Sequence, residues 1–181
     1  MYGMEKITYK GKIIEVVQKE VEQNAKKKVF EYARRSPGAR LIIPKGDTIL
    51  LTKEFRHELN SFDYRLPGGK VYDSLAEYNS ALNEEVNINE AAKQAAIKEA
   101  KEEAGIEVKE LSLFHKSICG ATVVWDLFYF IVNEFVEGSQ NLEEGEDIAL
   151  EFIGKEKVRE MYLDGSISEE RSALVLLRFL S

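Results

Sequence analysis

The sequence predicts an α/β (α+β) protein in which mixed β-strands are flanked by helices. Apolar β-type runs recur through both halves of the chain, a segment near its middle is built almost wholly of helix formers, and no repeat, low-complexity tract or linker divides the 181 residues. With 44% hydrophobic and 31% charged residues, a chain of this length can bury a sizeable core.

The elements follow in order. "KITYKGKIIEVVQKEV" reads as two short strands around Gly11, and "KKVFEYARR" continues the alternation. "ARLIIPKGDTILLTKEFR" holds two apolar runs joined by "PKGD", which predicts a hairpin. In "YRLPGGKV", residues 64–71, a proline and paired glycines interrupt regular structure, so a backbone loop is expected. Residues 73–88 are polar and poorly periodic, enough for a turn or two of helix. From Asn89, a candidate N-cap, to Ala104 the chain reads as a helix, with Gly105 where a C-terminal cap belongs. "KELSLFHKSI" and "TVVWDLFYFIVNEF" predict strands, the second buried. An acidic loop, "EGSQNLEEGEDI", leads to the strand "ALEFI", and two helices separated by "DGS" close the chain.

Charge and composition exclude several functions. With 32 acidic against 25 basic residues and a net charge of -7, broad attachment to nucleic acid or anionic lipid is disfavoured. "LFYFIV" at 127–132 is far too short to span a bilayer, "MYGMEKITYK" lacks the apolar core of a secretory signal, and Cys119 is a lone cysteine. A cytoplasmic location is the expectation.

The chemistry concentrates in "IKEAKEEAGIE". At 100° per residue a helix places Glu99, Glu102 and Glu103 on one side, where like charges repel by a few tenths of a kcal/mol per pair. Such carboxylates are ligands suited to a hard cation such as Mg²⁺, and a bound cation would relieve the repulsion. A solvated acidic face is the alternative.

"PGGK" followed by "EAAKQAAIKEAKEEAGI" resembles the Nudix box, G-x5-E-x7-R-E-U-x-E-E-x-G-U with U apolar. Glu90, Glu99, Glu102, Glu103, Gly105 and Ile106 match, with Ala100 at the apolar position. Two departures stand out: 21 positions separate Gly69 from Glu90 where the pattern has 6, an excess of 15 expected to form a surface excursion, and Lys98 replaces the arginine. Lysine lacks the planar fork of arginine, although Lys98 and Glu102 keep i,i+4 spacing.

The resemblance implies a Nudix-type α/β/α sandwich. It implies N-terminal antiparallel strands over residues 1–40 that belong to the same unit and pair two copies into a homodimer, and a hydrolase domain over 41–181. The family's helix carboxylates hold divalent ions, Mg²⁺ or Mn²⁺, while water attacks a phosphorus of a nucleoside diphosphate linked to another group. Carried over by position, Glu99 and Glu103 become metal ligands, Glu102 a ligand directly or through water with a part in catalysis, the Gly68 carbonyl a backbone ligand, and Gly69 a substrate contact. Glu90 supports the helix.

"EGEDI" resembles the acidic loop of the ADP-ribose pyrophosphatase branch. Glu144 then takes the role of base and Glu146 that of a further catalytic and metal-binding group, with Glu143 competing for the first role. "LTKEFRHELN" resembles that branch's substrate strand, whose arginine falls on Arg56, suited to a bidentate phosphate contact. The branch's S-P-G-x-x-x-E segment has only Ser117 and Gly120 as counterparts, so another nucleotide sugar fits as well as ADP-ribose. A catalytically silent nucleotide sensor and an unrelated domain with an acidic helix are the other readings.

Elsewhere the residues suggest structural roles. His57 and His115 stand singly without ligand partners, Trp125, Phe128 and Tyr129 suit a core strand, and Cys119 has no catalytic partner.

Overall fold

In the computed structural model, which describes residues 5–57, 59–142 and 144–181, the predicted α+β architecture is present as helices on both sides of mixed strands. The strands are β1 (Glu5–Lys10), β2 (Glu15–Gln23), β3 (Lys26–Arg34), β4 (Gly38–Ile42), β5 (Pro44–Lys45), β6 (Thr48–Arg56), β7 (Ser61–Arg65), β8 (Ile106–Ser117), β9 (Val123–Val124), β10 (Leu127–Glu137) and β11 (Ile148–Gly154). The helices are α1 (Leu75–Asn83), α2 (Ile88–Glu102), α3 (Lys155–Leu163) and α4 (Glu170–Phe179).

Three sheets result: β1-β2-β3-β9, β4-β10-β8, and β11-β6-β5 with β7 added to β6. Along β10, alternate side chains point to opposite faces. Phe128, Phe130 and Val132 pack toward α2, while Leu127, Tyr129 and Ile131 pack toward α3 and α4. A strand covered on both faces needs apolar residues at nearly every position, which explains the unbroken run "LFYFIV". The α2 face that meets this sheet consists of Ala92, Ala96 and Ala100, all fully buried. Their i,i+4 spacing forms one stripe, and their small size lets the helix backbone approach the strands closely.

Several expectations need correction. "ARLII" and "TILLTKEFR" do not pair as one long hairpin: β4 joins β10 in parallel, Leu127 opposite Gly38, and only Pro44–Lys45 turns back on β6. The strand β7 inside "SFDYR" was not predicted, and it takes Tyr64 and Arg65 out of the expected loop. "TVVWDLFYFIVNEF" breaks into β9 and β10 at Trp125 and Asp126. Helix α2 begins two residues early because the Asn87 side chain, not that of Asn89, accepts from the amides of Asn89 and Glu90.

The inserted segment is more than a surface excursion. It forms α1, capped by Ser74, whose side chain accepts from the Glu77 amide, and it buries Leu75, Tyr78 and Ala81. Asn79 Nδ2 donates to Glu15 at 3.1 Å, and the same buried carboxylate accepts from Arg34 Nε at 2.7 Å. Glu15 is fully buried, so these two partners supply the solvation it has lost. The insertion thereby ties the N-terminal sheet to the rest of the chain.

Candidate active site

The last turn of α2 and the Gly68–Gly69 loop meet at a cavity of about 150 Å³. Glu99, Glu102 and Glu103 reach it from the helix, Glu146 from the loop before β11, and Gly69 forms its backbone wall. Lys70, Asp73 and Lys98 complete the lining. Gly68 is required sterically, whereas a side chain at Gly69 would displace the Glu99 carboxylate. A Cβ on Gly69 would stand 1.8 Å from Glu99 Oε1, and one on Gly68, whose φ is +141°, would stand 2.2 Å from the Ala39 carbonyl oxygen. Ala39 N–H in turn donates to Gly69 O at 3.0 Å, so β4 holds the loop against the helix.

The Gly68 amide donates to Glu103 Oε2 at 2.8 Å. That bond fixes one carboxylate oxygen while the other stays available. Burial, followed by the charges of Glu103 and Glu102, raises the Glu99 pKa from 4.5 to about 7. Burial also raises Glu103, opposed by the Gly68 hydrogen bond and by Arg40. Lys98 lies 3.5 Å from Glu102, and this pairing raises the lysine's pKa. The ion pair expected of the arginine position is therefore kept by the shorter cation.

This donor set suits a divalent ion in kind: hard carboxylate oxygens, partly buried and mutually repelling. Among the described residues, however, no three acidic, histidine or cysteine side chains stand close enough together to grip one ion as they are. Uncompensated like charges hold such groups apart, and a cation between them reverses that force.

The structure gathers Glu99, Glu102, Glu103, Glu146 and Gly69. Glu144 does not line this cavity and is exposed in the turn at Gly145. Its competitor Glu143 lies outside the described residues. Gly68 and Arg56 border an adjoining cavity that shares Gly69 and Lys70, and Arg56 is paired with Glu54 at 2.6 Å. Glu90 faces away and accepts from Gln94. Phe128 and Tyr129 are core residues, Trp125 is only half-buried, Cys119 is exposed, and His115 meets Arg178.

Lys70 and Asp73 were missed by the sequence reading. The first follows the glycine pair directly; the second belongs to the inserted segment, which the family pattern does not cover.

The sequence profile of the NUDIX domain matches residues 34–170. The chain belongs to the Nudix family. A sequence search of curated proteins finds no match. Among solved structures, 186 chains match this Nudix chain. One of them, a crystal structure of an ADP compounds hydrolase, superposes with a TM-score of 0.72 at 17% identity, over 99% of this chain and 90% of that one. This likeness shows the fold. No helix among the described residues is long and apolar enough to cross a membrane.

Proposed function

We propose that this Nudix protein is a Mg²⁺-dependent diphosphatase, with Mn²⁺ as an alternative ion, that hydrolyses ADP-ribose or a related nucleoside diphosphate sugar to a nucleoside monophosphate and a sugar phosphate. The observation that carries the reading is the meeting of Glu99, Glu102, Glu103 and Glu146, from two separate elements, in one cavity against Gly69. The name of the structural neighbour, an ADP compounds hydrolase, supports the substrate class.

Glu99 and Glu103 would hold the ion, aided by Glu102, Glu146 and the Gly68 carbonyl. A divalent ion bound there supplies positive charge to the diphosphate oxygens and lowers the pKa of water. Lys98 orients Glu102, and Gly69 lets the substrate approach the backbone. Glu144 was expected to be the base, but Glu146 is the loop carboxylate that lines the cavity, which supports its taking a proton from water in its stead. Glu144 reaches that position only if its loop closes over substrate. Arg56, on the far side of Gly69, would meet a phosphate oxygen.

The chain is taken as one unit, residues 1–40 with 41–181, acting in the cytoplasm as a homodimer. Ile7, Tyr9, Val29 and Phe30 leave apolar surface exposed on β1 and β3, where a second copy would pack. A monomeric mass by light scattering at working concentration would overturn the dimer.

The test of function is incubation with Mg²⁺ or Mn²⁺ and a panel of nucleotide sugars, with products resolved by ³¹P NMR. Phosphate monoesters are expected from at least one compound. Binding without such products would instead mark a nucleotide sensor, a reading that the replacement of arginine by Lys98 keeps open.

A further inference from the structure

The carboxylate that the sequence pattern places after the glycine pair, Glu90, faces away from the cavity and accepts from Gln94. The one that lines the cavity from this part of the chain is Asp73, at the start of the inserted segment. Its backbone is fixed on both sides. Before it, the Val71 amide donates to Pro37 O at 2.9 Å and the Tyr72 amide to Ser36 Oγ at 3.0 Å. After it, the Ser74 side chain caps α1, and the Asp73 amide itself donates to Glu77 Oε2 at 3.2 Å. Tyr72 stacks on Tyr78 with ring centres 5.6 Å apart, and Asn79 anchors α1 to the buried Glu15.

This anchored backbone carries a side chain without a direct partner. Among the described residues the Asp73 carboxylate makes no hydrogen bond and no ion pair. Lys98 lines the same cavity, its ammonium 3.5 Å from Glu102. Glu102 is the carboxylate that Lys98 meets directly, through a single contact, whereas an arginine would grip it with a planar fork. The Glu102 charge, and after it the Asp73 charge, raise the Lys98 pKa against the effect of burial. The two departures from the family pattern therefore meet at one place. The insertion supplies a carboxylate beside a cation that the replacement of arginine leaves held by one contact.

We propose that Asp73 is a positioning residue for the diphosphatase reaction: it draws on the Lys98 ammonium from the inserted segment, so that two carboxylates hold the lysine and Glu102 stays oriented in the cavity. This inference rests on the catalytic reading given above.

The first experiment is a double-mutant cycle by chemical denaturation in EDTA, with Asp73→Asn and Lys98→Met. The cycle cancels the repulsion between Asp73 and the α2 carboxylates, and also any attraction of Asp73 to the α1 N-terminus. Asp73→Asn should lower the folding equilibrium constant about two- to fivefold more with Lys98 present than in the Lys98→Met background, the scale of a partly exposed ion pair. Salt at about 1 M should shrink that difference. Lys12, Arg35 and Lys70 surround a smaller space beside Asp73, and Lys70 also lines the cavity, so Lys70→Met is the control. No coupling to Lys98, or stronger coupling to Lys70, overturns the proposal.

The second experiment measures kcat and KM with Mg²⁺ on whichever nucleotide sugar is turned over. Asp73→Asn should lower kcat about two- to tenfold with KM little changed, and Asp73→Glu, which keeps the charge, should retain most of the rate. In the Lys98→Arg background, where the fork holds Glu102 alone, Asp73→Asn should cost less than about twofold. An equal loss in both backgrounds would make Asp73 a contact to the ion or the substrate and overturn the proposal. Weakening of Mn²⁺ binding by Asp73→Asn as large as that by Glu103→Gln, read by electron paramagnetic resonance, is the behaviour of a ligand and also overturns it. Coupling to Lys98 in the first experiment without turnover of any compound removes the catalytic reading and upholds the pairing, so the two failures are told apart.

Discussion

Replacing Glu99 by Gln should stabilise the metal-free protein, although it removes a proposed metal ligand. Burial and the adjacent Glu103 and Glu102 raise the Glu99 pKa from 4.5 to about 7. The folded state therefore keeps this proton over an interval in which the unfolded chain has released it, and stability falls as pH rises from about 4.5 to about 7. A shift of that size corresponds to roughly 3 kcal/mol, which the partial solvent access of Glu99 reduces to about 1–2 kcal/mol. For a chain of 181 residues, each kcal/mol moves Tm by about 2–4 °C. Melting in EDTA at pH 8 should then show Glu99→Gln about 2–8 °C above wild type, the difference closing by pH 4. With Mg²⁺ added, wild type should gain Tm and the variant gain less. A variant less stable than wild type in EDTA at pH 8 would refute the argument that burial and the neighbouring carboxylates disfavour the charged form of Glu99.

Other predictions follow from the same geometry. Glu103→Gln keeps the shape that accepts the Gly68 amide but removes the charge, so steady-state assays should find metal-dependent turnover lost and circular dichroism unchanged. Gly69→Ala places a methyl where Glu99 Oε1 lies, at 1.8 Å; turnover should drop by more than about tenfold, because displacing a reacting group by about 1 Å has large effects. Glu15→Ala leaves Arg34 and Asn79 without their buried partner; chemical denaturation should show a loss of about 3–5 kcal/mol. Ala96→Leu overfills the α2 contact with the sheet and should destabilise by about 1–3 kcal/mol in the same assay.

The parts of this molecule that could be read in the sequence are those whose causes are local. Helix α2 is built from strong helix formers, and its carboxylates lie within one turn, so spacing alone placed Glu99, Glu102 and Glu103 on one side. Its start was misplaced by two residues because two asparagines offer the same capping chemistry. Strand β4 was recognised as a strand but assigned the wrong neighbour, since its pairing with β10 joins residues nearly 90 positions apart in sequence. Helix α1 went largely unread because three buried residues leave only a weak periodic trace, and its tie to the N-terminal sheet, from Asn79 to Glu15, joins residues far apart in sequence. The adjoining cavity that Arg56 borders was likewise illegible. Its arginines come from separate strands and loops, and only Arg56 stood within a recognisable pattern.

The central claim is that Glu99, Glu102, Glu103 and Glu146 close around a divalent ion beside Gly69. Electron paramagnetic resonance of Mn²⁺ titrated into wild type and a Glu99→Gln/Glu103→Gln double variant tests it directly. The account predicts that the free-ion signal is quenched by wild type and persists with the double variant. Wild type that leaves Mn²⁺ free, or a double variant that binds it equally well, would contradict the account.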